Sequence, residues 1–350
     1  MALTKNIKEL LHAGTVIPAH PLALTDNLQL DEERQRRLTR YYVQSGAGGI
    51  AIGVHTTQFE IRDPAFDLYE KVLDLAAQEI RSSDINKPFI KVAGICGATA
   101  QAVREAEIAK KHGYHLGLVS LGGLNDWSDE SLIDHVKAVA QVIPVFGFYL
   151  QPAVGGRILS YNFWQHFAAI ENVQAIKVAS FNRYQTLDVM KAVSFSDRAD
   201  DIAMYTGNDD NIVADLLTNY TFTVGGEVKT KYFVGGLLGH WAVWTQKAVQ
   251  VLEEIKKCRT SGYHGAEALL EKGAIITDMN AAIFDPVNSF RGSIAGIHEV
   301  LRRQGLLETI VCLSPQEKLS PGQLAEIDRV CAAYPKMVDD AFVQAFLNGR

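Results

Sequence analysis

Val173-Gln174-Ala175-Ile176-Lys177-Val178-Ala179 is an apolar, β-branched run that carries one amine. Alternate residues of a strand share a face, so Val173, Ala175, Lys177 and Ala179 point one way and Ile176 and Val178 the other. The branched pair suits packing against covering helices, and the two alanines leave room around the amine. A lone lysine is ordinarily a solvated surface residue. Buried inside a barrel, the same side chain is desolvated, loses its proton and becomes a nucleophile toward carbonyls.

Outward from this run, short apolar stretches alternate with amphipathic ones from the amino end to about residue 255, the βαβα pattern of a parallel sheet. Strands are expected at Thr15 to Ala19, Gly49 to Gly53, Phe89 to Ala93, His115 to Ser120, Pro144 to Tyr149, Val173 to Val178, Asp201 to Thr206 and Tyr232 to Gly235. Intervening helices are expected to begin near Asp31, Pro64, Thr99, Ser128, Ser160, Asn182 and Asp209. About eight such units in this length favour an α/β fold of the (β/α)8 TIM-barrel class over an open doubly wound sheet. No GxGxxG follows the first strand, which removes the main reason to expect a dinucleotide-binding fold.

Two segments depart from the repeat. Thr221 to Thr230 alternates around Gly225-Gly226 and reads as an inserted hairpin. After Lys257 the pattern is helical, with helices expected over Gly265 to Lys272, Asn288 to Gln304 and Pro321 to Ala333, the last with Ser320 as N-cap and Pro321 at the first helical position. The expected organisation is therefore a barrel with the catalytic site over residues 1–256 and a carboxy-terminal helical region packed on it over 257–350.

The 350 residues, 47% of them hydrophobic, suffice for a large core. The 34 Lys and Arg against 40 Asp and Glu form no basic stripe, so neither nucleic acid nor an anionic membrane is an expected partner. Cys96, Cys258, Cys312 and Cys331 have no zinc-type spacing and read as reduced core thiols. There is no signal-peptide-like stretch near Met1 and no apolar run long enough to span a bilayer, so a cytoplasmic location is expected.

Barrel active sites sit at the carboxyl ends of the strands. Strand five ends in Val145-Phe146-Gly147-Phe148-Tyr149; if its phenylalanines face the helices, Tyr149 points inward beside Lys177. A phenol next to an amine suits imine chemistry, which needs repeated proton delivery to the carbinolamine oxygen.

With these residues in view, the sequence resembles the dihydrodipicolinate synthase and N-acetylneuraminate lyase family of Schiff-base-forming aldolases and lyases. Val16-Ile17-Pro18-Ala19-His20-Pro21 resembles the family's first strand, and Gly53-Val54-His55-Thr56-Thr57-Gln58-Phe59 its Gly-Thr-Thr-Gly-Glu-Phe carboxylate loop. Tyr149-Leu150-Gln151-Pro152 resembles Tyr-Asn-x-Pro, Ile176-Lys177-Val178-Ala179-Ser180 resembles Ile-Lys-Glu-Ala-Ser, and the Gly207-Asn208-Asp209-Asp210 turn resembles Ser-Gly-Asp-Asp. Asp285-Pro286-Val287-Asn288 falls in the proline-containing helical tail. The resemblance implies a Schiff base between Lys177 and a pyruvate-like 2-keto acid, with Tyr149 as proton shuttle. Thr56, Thr57, His55 and Gly207 would bind substrate, no cofactor or metal would be needed, and the protein would be a homo-oligomer, a tetramer or dimer.

The pattern also breaks. Val154 stands where the synthase carries an arginine, with Arg157 out of register; Leu121 to Trp127 lacks the relay tyrosine; and Val178 replaces the glutamate after the lysine. These losses argue against dihydrodipicolinate synthesis itself and leave cleavage, addition or dehydration of a 2-keto-3-deoxy acid open. His20 or His55 could replace the missing relay, each otherwise a structural imidazole. His240, Trp241 and Trp244 follow strand eight, where the tryptophans suit either a pocket wall or the core. Two rival classes are a non-catalytic 2-keto acid binder or regulatory protein keeping the fold, and a metal-dependent barrel lyase using His55, Asp209 and Asp210.

Overall fold

Every apolar run expected as a barrel strand is one. The strands are β1 (Val16–Pro18), β2 (Gly49–Ile52), β3 (Ile90–Ile95), β4 (Leu116–Ser120), β5 (Val145–Leu150), β6 (Val173–Ala179) and β7 (Ala203–Thr206), followed by the hairpin β8 (Tyr220–Val224) and β9 (Glu227–Lys231), then β10 (Phe233–Leu238). β8 and β9 pair only with each other; the other eight form one sheet in the order β1-β10-β7-β6-β5-β4-β3-β2. A parallel bridge between Ala19 and Ala51 joins its two ends. The architecture is an eight-stranded parallel barrel with alternating helices, a TIM barrel, plus carboxy-terminal helices. This computed structural model describes residues 2–83 and 85–349; the expected outer bounds Met1 and Arg350 lie outside the described residues.

The chain clusters into two compact units. One joins the residues through Thr15 to Ile90–Leu237 and holds β3 to β9 with most of β10. Its helices start where their caps dictate: Ser128, Ser160 and Asn182 each accept hydrogen bonds from backbone N–H groups two or three residues on, as Ser and Asn do at N-caps. The helix Lys5–Ala13, not anticipated from the sequence, buries Ile7 and Leu11 in this unit. The expected hairpin is present, with Val224 and Glu227 closing a two-residue turn. Gly225 and Gly226 at φ +58° and +85° give the doubly left-handed turn that matches strand twist.

The other unit comprises Val16–Phe89 and Leu238 onward. Asp31 caps the helix Glu32–Gln44 through Arg34 N–H. Three expected helix starts need correction here, and each fails at a left-handed residue that stops helical propagation. The helix expected from Pro64 starts at Tyr69, after Asp67 at φ +48°. That expected from Asn288 is Ser293–Arg303, after Ser289 and Phe290 at +57° and +63°. Ser320 and Pro321 do not form the cap and first turn, because Gly322 at φ +86° precedes a helix over Gln323–Ala333. The helix expected over Gly265 to Lys272 runs on as Ala266–Phe284. All four cysteines are free thiols, Cys258 and Cys312 buried and Cys96 and Cys331 half-buried. No helix among the described residues is long and apolar enough to cross a membrane.

A Cβ placed on Gly147 of β5 would sit 2.7 Å from the ring of Phe167 on the helix Tyr161–Ala168. Gly147→Ala is therefore expected to destabilise the protein by about 1–3 kcal/mol through overpacking, measured as a lowered thermal midpoint.

Candidate active site

Lys177 lies near the carboxyl end of β6 and is 7% exposed. Its Nζ sits 4.4 Å from the centroid of the Phe148 ring on β5. On the other side Gly207 closes against it: a Cβ there would fall 2.5 Å from Lys177 Cε, so only glycine lets the loop backbone come this near. Burial drives the ammonium down from its ordinary value to about 8, opposed by the negative charge of Asp209. Lys177 and Gly207, expected at one site, are brought together.

Tyr149 is not brought to them. Partners in a parallel ladder point to the same face, and Lys177 pairs with Phe148 on β5 and Tyr205 on β7, whereas Tyr149 pairs with Val178. The expected parity of β5 is thus reversed: Phe146 and Phe148 share the face of Lys177, and Gly147 and Tyr149 face the helices. Phe146 meets Tyr205 edge to face at 5.3 Å. The Tyr149 ring lies 5.2 Å from Trp164 on the covering helix. Its hydroxyl donates to Leu159 O at 3.3 Å and accepts from Leu159 N–H at 3.2 Å. Burial raises its pKa. The helix-facing side needs the slot at Gly147 to receive Phe167, which forces the bulky phenylalanines inward.

Arg157, out of register for a substrate carboxylate, donates to Leu124 O at 2.7 Å and Trp127 O at 3.3 Å, and so ties down the loop that lacks a tyrosine. Phe148 and Asp209 are the neighbours of the amine that the sequence reading missed. The alternation of glycine with phenylalanine on β5 shows that one face is crowded without showing which, so the sequence carried no signal that would have placed Phe148 beside the amine.

The remaining expected residues belong to the second unit. His20 is fully buried, with Nδ1 2.7 Å from Pro21 O and Nε2 3.0 Å from Thr39 Oγ1. Burial lowers its pKa to about 4. It packs edge to face on Tyr42 of the helix Glu32–Gln44. Both ring nitrogens are engaged, so the expected relay role gives way to that of a neutral structural imidazole. Thr57 Oγ1 donates to His20 O at 2.7 Å and accepts from Gly53 N–H at 3.0 Å, so its hydroxyl closes its own turn. Thr56 Oγ1 is buried without a partner among the described residues. His55 is half-buried, its ring 6.0 Å from Phe59. His240 is buried with its pKa lowered to about 4, and Trp241 and Trp244 are core residues. Among the described residues, no three His, Cys, Asp or Glu side chains converge as a metal site, so His55, Asp209 and Asp210 do not form one.

These placements separate Tyr149 from Phe148 on β5. Tyr149→Phe is expected to cost about 1 kcal/mol for the lost hydroxyl bonds, measured as a lowered thermal midpoint. Lys177→Met is expected to stabilise the protein. The folded-state pKa of about 8 lies below the ordinary lysine value of 10.5, so the protonated amine destabilises the fold at neutral pH. That penalty, on the order of 3 kcal/mol, fades as pH rises from about 8 toward 10.5. Thermal midpoints at pH about 7 and pH about 10 should show the gain of Lys177→Met shrinking.

Residues 13–226 match the Dihydrodipicolinate synthetase family. The chain is 24% identical over 304 residues to N-acetylneuraminate lyase 2 of Escherichia coli O6:H1, covering 86% of this chain and 87% of that protein. It is 23% identical over 299 residues to 4-hydroxy-tetrahydrodipicolinate synthase of Chlorobium phaeobacteroides, covering 83% and 89%. The fold is similar to that of a dihydrodipicolinate synthase from Acinetobacter baumannii complexed with pyruvate, with TM-score 0.72 at 17% identity over 91% of this chain and 98% of that one. These lyase and synthase relatives are distant, and the chain belongs to the dihydrodipicolinate synthetase family.

Proposed function

We propose that this protein is a class I lyase or aldolase that forms a Schiff base between Lys177 and a pyruvate-like 2-keto acid. The observation that carries the reading is the enclosed amine of Lys177, held between Phe148 and Gly207 with its pKa lowered to about 8. Such an amine is partly neutral at physiological pH and can attack a carbonyl carbon. Nitrogen adds to C2 of the keto acid, the carbinolamine loses water, and the resulting iminium draws the electron pair of a C3–H or C3–C4 bond into a C2–C3 enamine, releasing a proton in the first case and an aldehyde, with loss of its hydroxyl proton, in the second. That electron sink serves aldol cleavage, aldol addition and dehydration alike. A related synthase fold has been seen with pyruvate, which supports the substrate class.

The distal part of the substrate is proposed to differ from that of dihydrodipicolinate synthesis. Val154 offers no cation for a second carboxylate, and Arg157 is committed to the carbonyls of Leu124 and Trp127. A second reading, a 2-keto acid binder without turnover, is favoured by one observation: the phenol expected as shuttle faces Trp164 rather than the amine.

Borohydride reduction with pyruvate, mapped by peptide mass spectrometry, is expected to add a reduced pyruvyl group to Lys177 and nowhere else; an unmodified Lys177 sinks the imine reading. The neutral amine is the reactive form, so the trapping rate should climb as pH rises through about 8 and flatten above it, rather than climbing on past 10 as for an ordinary lysine. Turnover across a panel of 2-keto-3-deoxy acids separates the lyase from the binder, which would give the adduct and no product.

A further inference from the structure

Asp215, on the short helix Ile212–Leu217, is fully buried, and its carboxylate accepts from five side chains. Thr206 Oγ1 at 2.7 Å and Asn208 Nδ2 at 2.8 Å reach Oδ2; Asn211 Nδ2 and Tyr220 OH, each at 3.0 Å, reach Oδ1 together with the Arg183 guanidinium. Two of these donors lead to the amine. Thr206 ends β7 and is followed by Gly207, whose N–H donates to Val178 O at 2.7 Å and whose Cα leaves no room for a side chain against Lys177. Asn208, held by Asp215 on its amide nitrogen, accepts the Phe181 N–H on Oδ1 at 3.0 Å. Phe181 leaves β6 four residues after Lys177 in a left-handed conformation, φ +51°. One carboxylate therefore fastens the chain leaving β6 and the chain leaving β7.

We propose that Asp215 is a positioning residue for Lys177, acting through Thr206 and Asn208 to hold the Gly207 backbone against the amine and keep water from it. The proposal rests on the reading of Lys177 as the reactive amine and adds the device that enforces its enclosure. Within this unit the ionisable groups facing Lys177 are Asp209 of the same loop and the Tyr205 phenol of β7, whose hydroxyl donates to Leu11 O; Phe148 of β5 brings no charge. Arg183 and Asp210 form an ion pair at 4.0 Å within the same loop network. Burial is the larger influence on Lys177 and the Asp209 charge the smaller, so a loosened loop hydrates the amine and moves it toward ordinary lysine behaviour.

Trace labelling with acetic anhydride over pH about 6 to about 10 reads the titration of Lys177 by peptide mass spectrometry and requires no imine. The wild-type midpoint is expected near 8. Asp215→Asn turns an NH2 group toward donors and is expected to raise the midpoint by about one pH unit, so that about tenfold less Lys177 is labelled at neutral pH. Thr206→Val, isosteric and lacking one hydroxyl, is expected to move it less and in the same direction, and decides the matter alone if Asp215→Asn does not fold. An unchanged or lowered midpoint in the folded variants, whatever their thermal stability, overturns the proposal. Failure of the wild type to trap pyruvate while the midpoint still moves overturns the imine reading and leaves the positioning role standing.

Discussion

The site depends on keeping one amine from water. A lysine is cheap in a barrel only while its ammonium reaches solvent, and Lys177 is denied most of that contact by an aromatic ring on one side and bare backbone on the other. Each wall is set by a different element. Phe148 is turned inward because β5 presents Gly147 to a crowded helix, and Gly207 approaches because the β7 loop is anchored from below by a buried carboxylate. The chemistry of the amine is thus a consequence of helix packing outside the barrel and of a polar network beside it.

The polar network runs against the usual economy of a core. A buried carboxylate is stabilising only when its donors are all present, and a partly satisfied one is worse than an apolar residue. Asp215 interrupts the otherwise apolar Ile212-Val213-Ala214-Asp215-Leu216-Leu217, so its place is hard to explain by packing. A carboxylate does what a leucine there would not: it specifies the conformation of two loops at once. In the other unit the polar atoms of His20 and Thr57 are likewise committed, His20 to Pro21 O and Thr39 Oγ1, and Thr57 to His20 O and Gly53 N–H.

Strand positions were legible because parallel strands, buried on both faces, leave continuous apolar runs that no surface loop shares. Helix starts at Ser128, Ser160 and Asn182 were legible through their caps, and the hairpin through Gly225-Gly226. Starts near Pro64, Asn288 and Pro321 were not, because Asp67, Ser289 and Gly322 take left-handed conformations that break the helix, and the first two residue types do not announce this in sequence. The lysine itself was readable from strand parity. Its neighbours on β5 were not, since a strand of alternating glycine and phenylalanine fits either way round until the covering helix is known.

That ambiguity bears on what a motif conveys. Tyr149-Leu150-Gln151-Pro152 keeps the tyrosine and proline of the Tyr-Asn-x-Pro pattern it resembles, yet the phenol stacks near Trp164 and bonds to Leu159. Imine formation and the proton transfers around it are separable demands, because the first needs a neutral amine and the second needs an acid within hydrogen-bond reach. The Phe148 ring excludes water from the amine while its face attracts the charged form, so burial rather than the ring itself meets the first demand. A phenylalanine there supplies no acid from β5, so under the proposed imine reading protons would reach the carbinolamine from another group or from solvent.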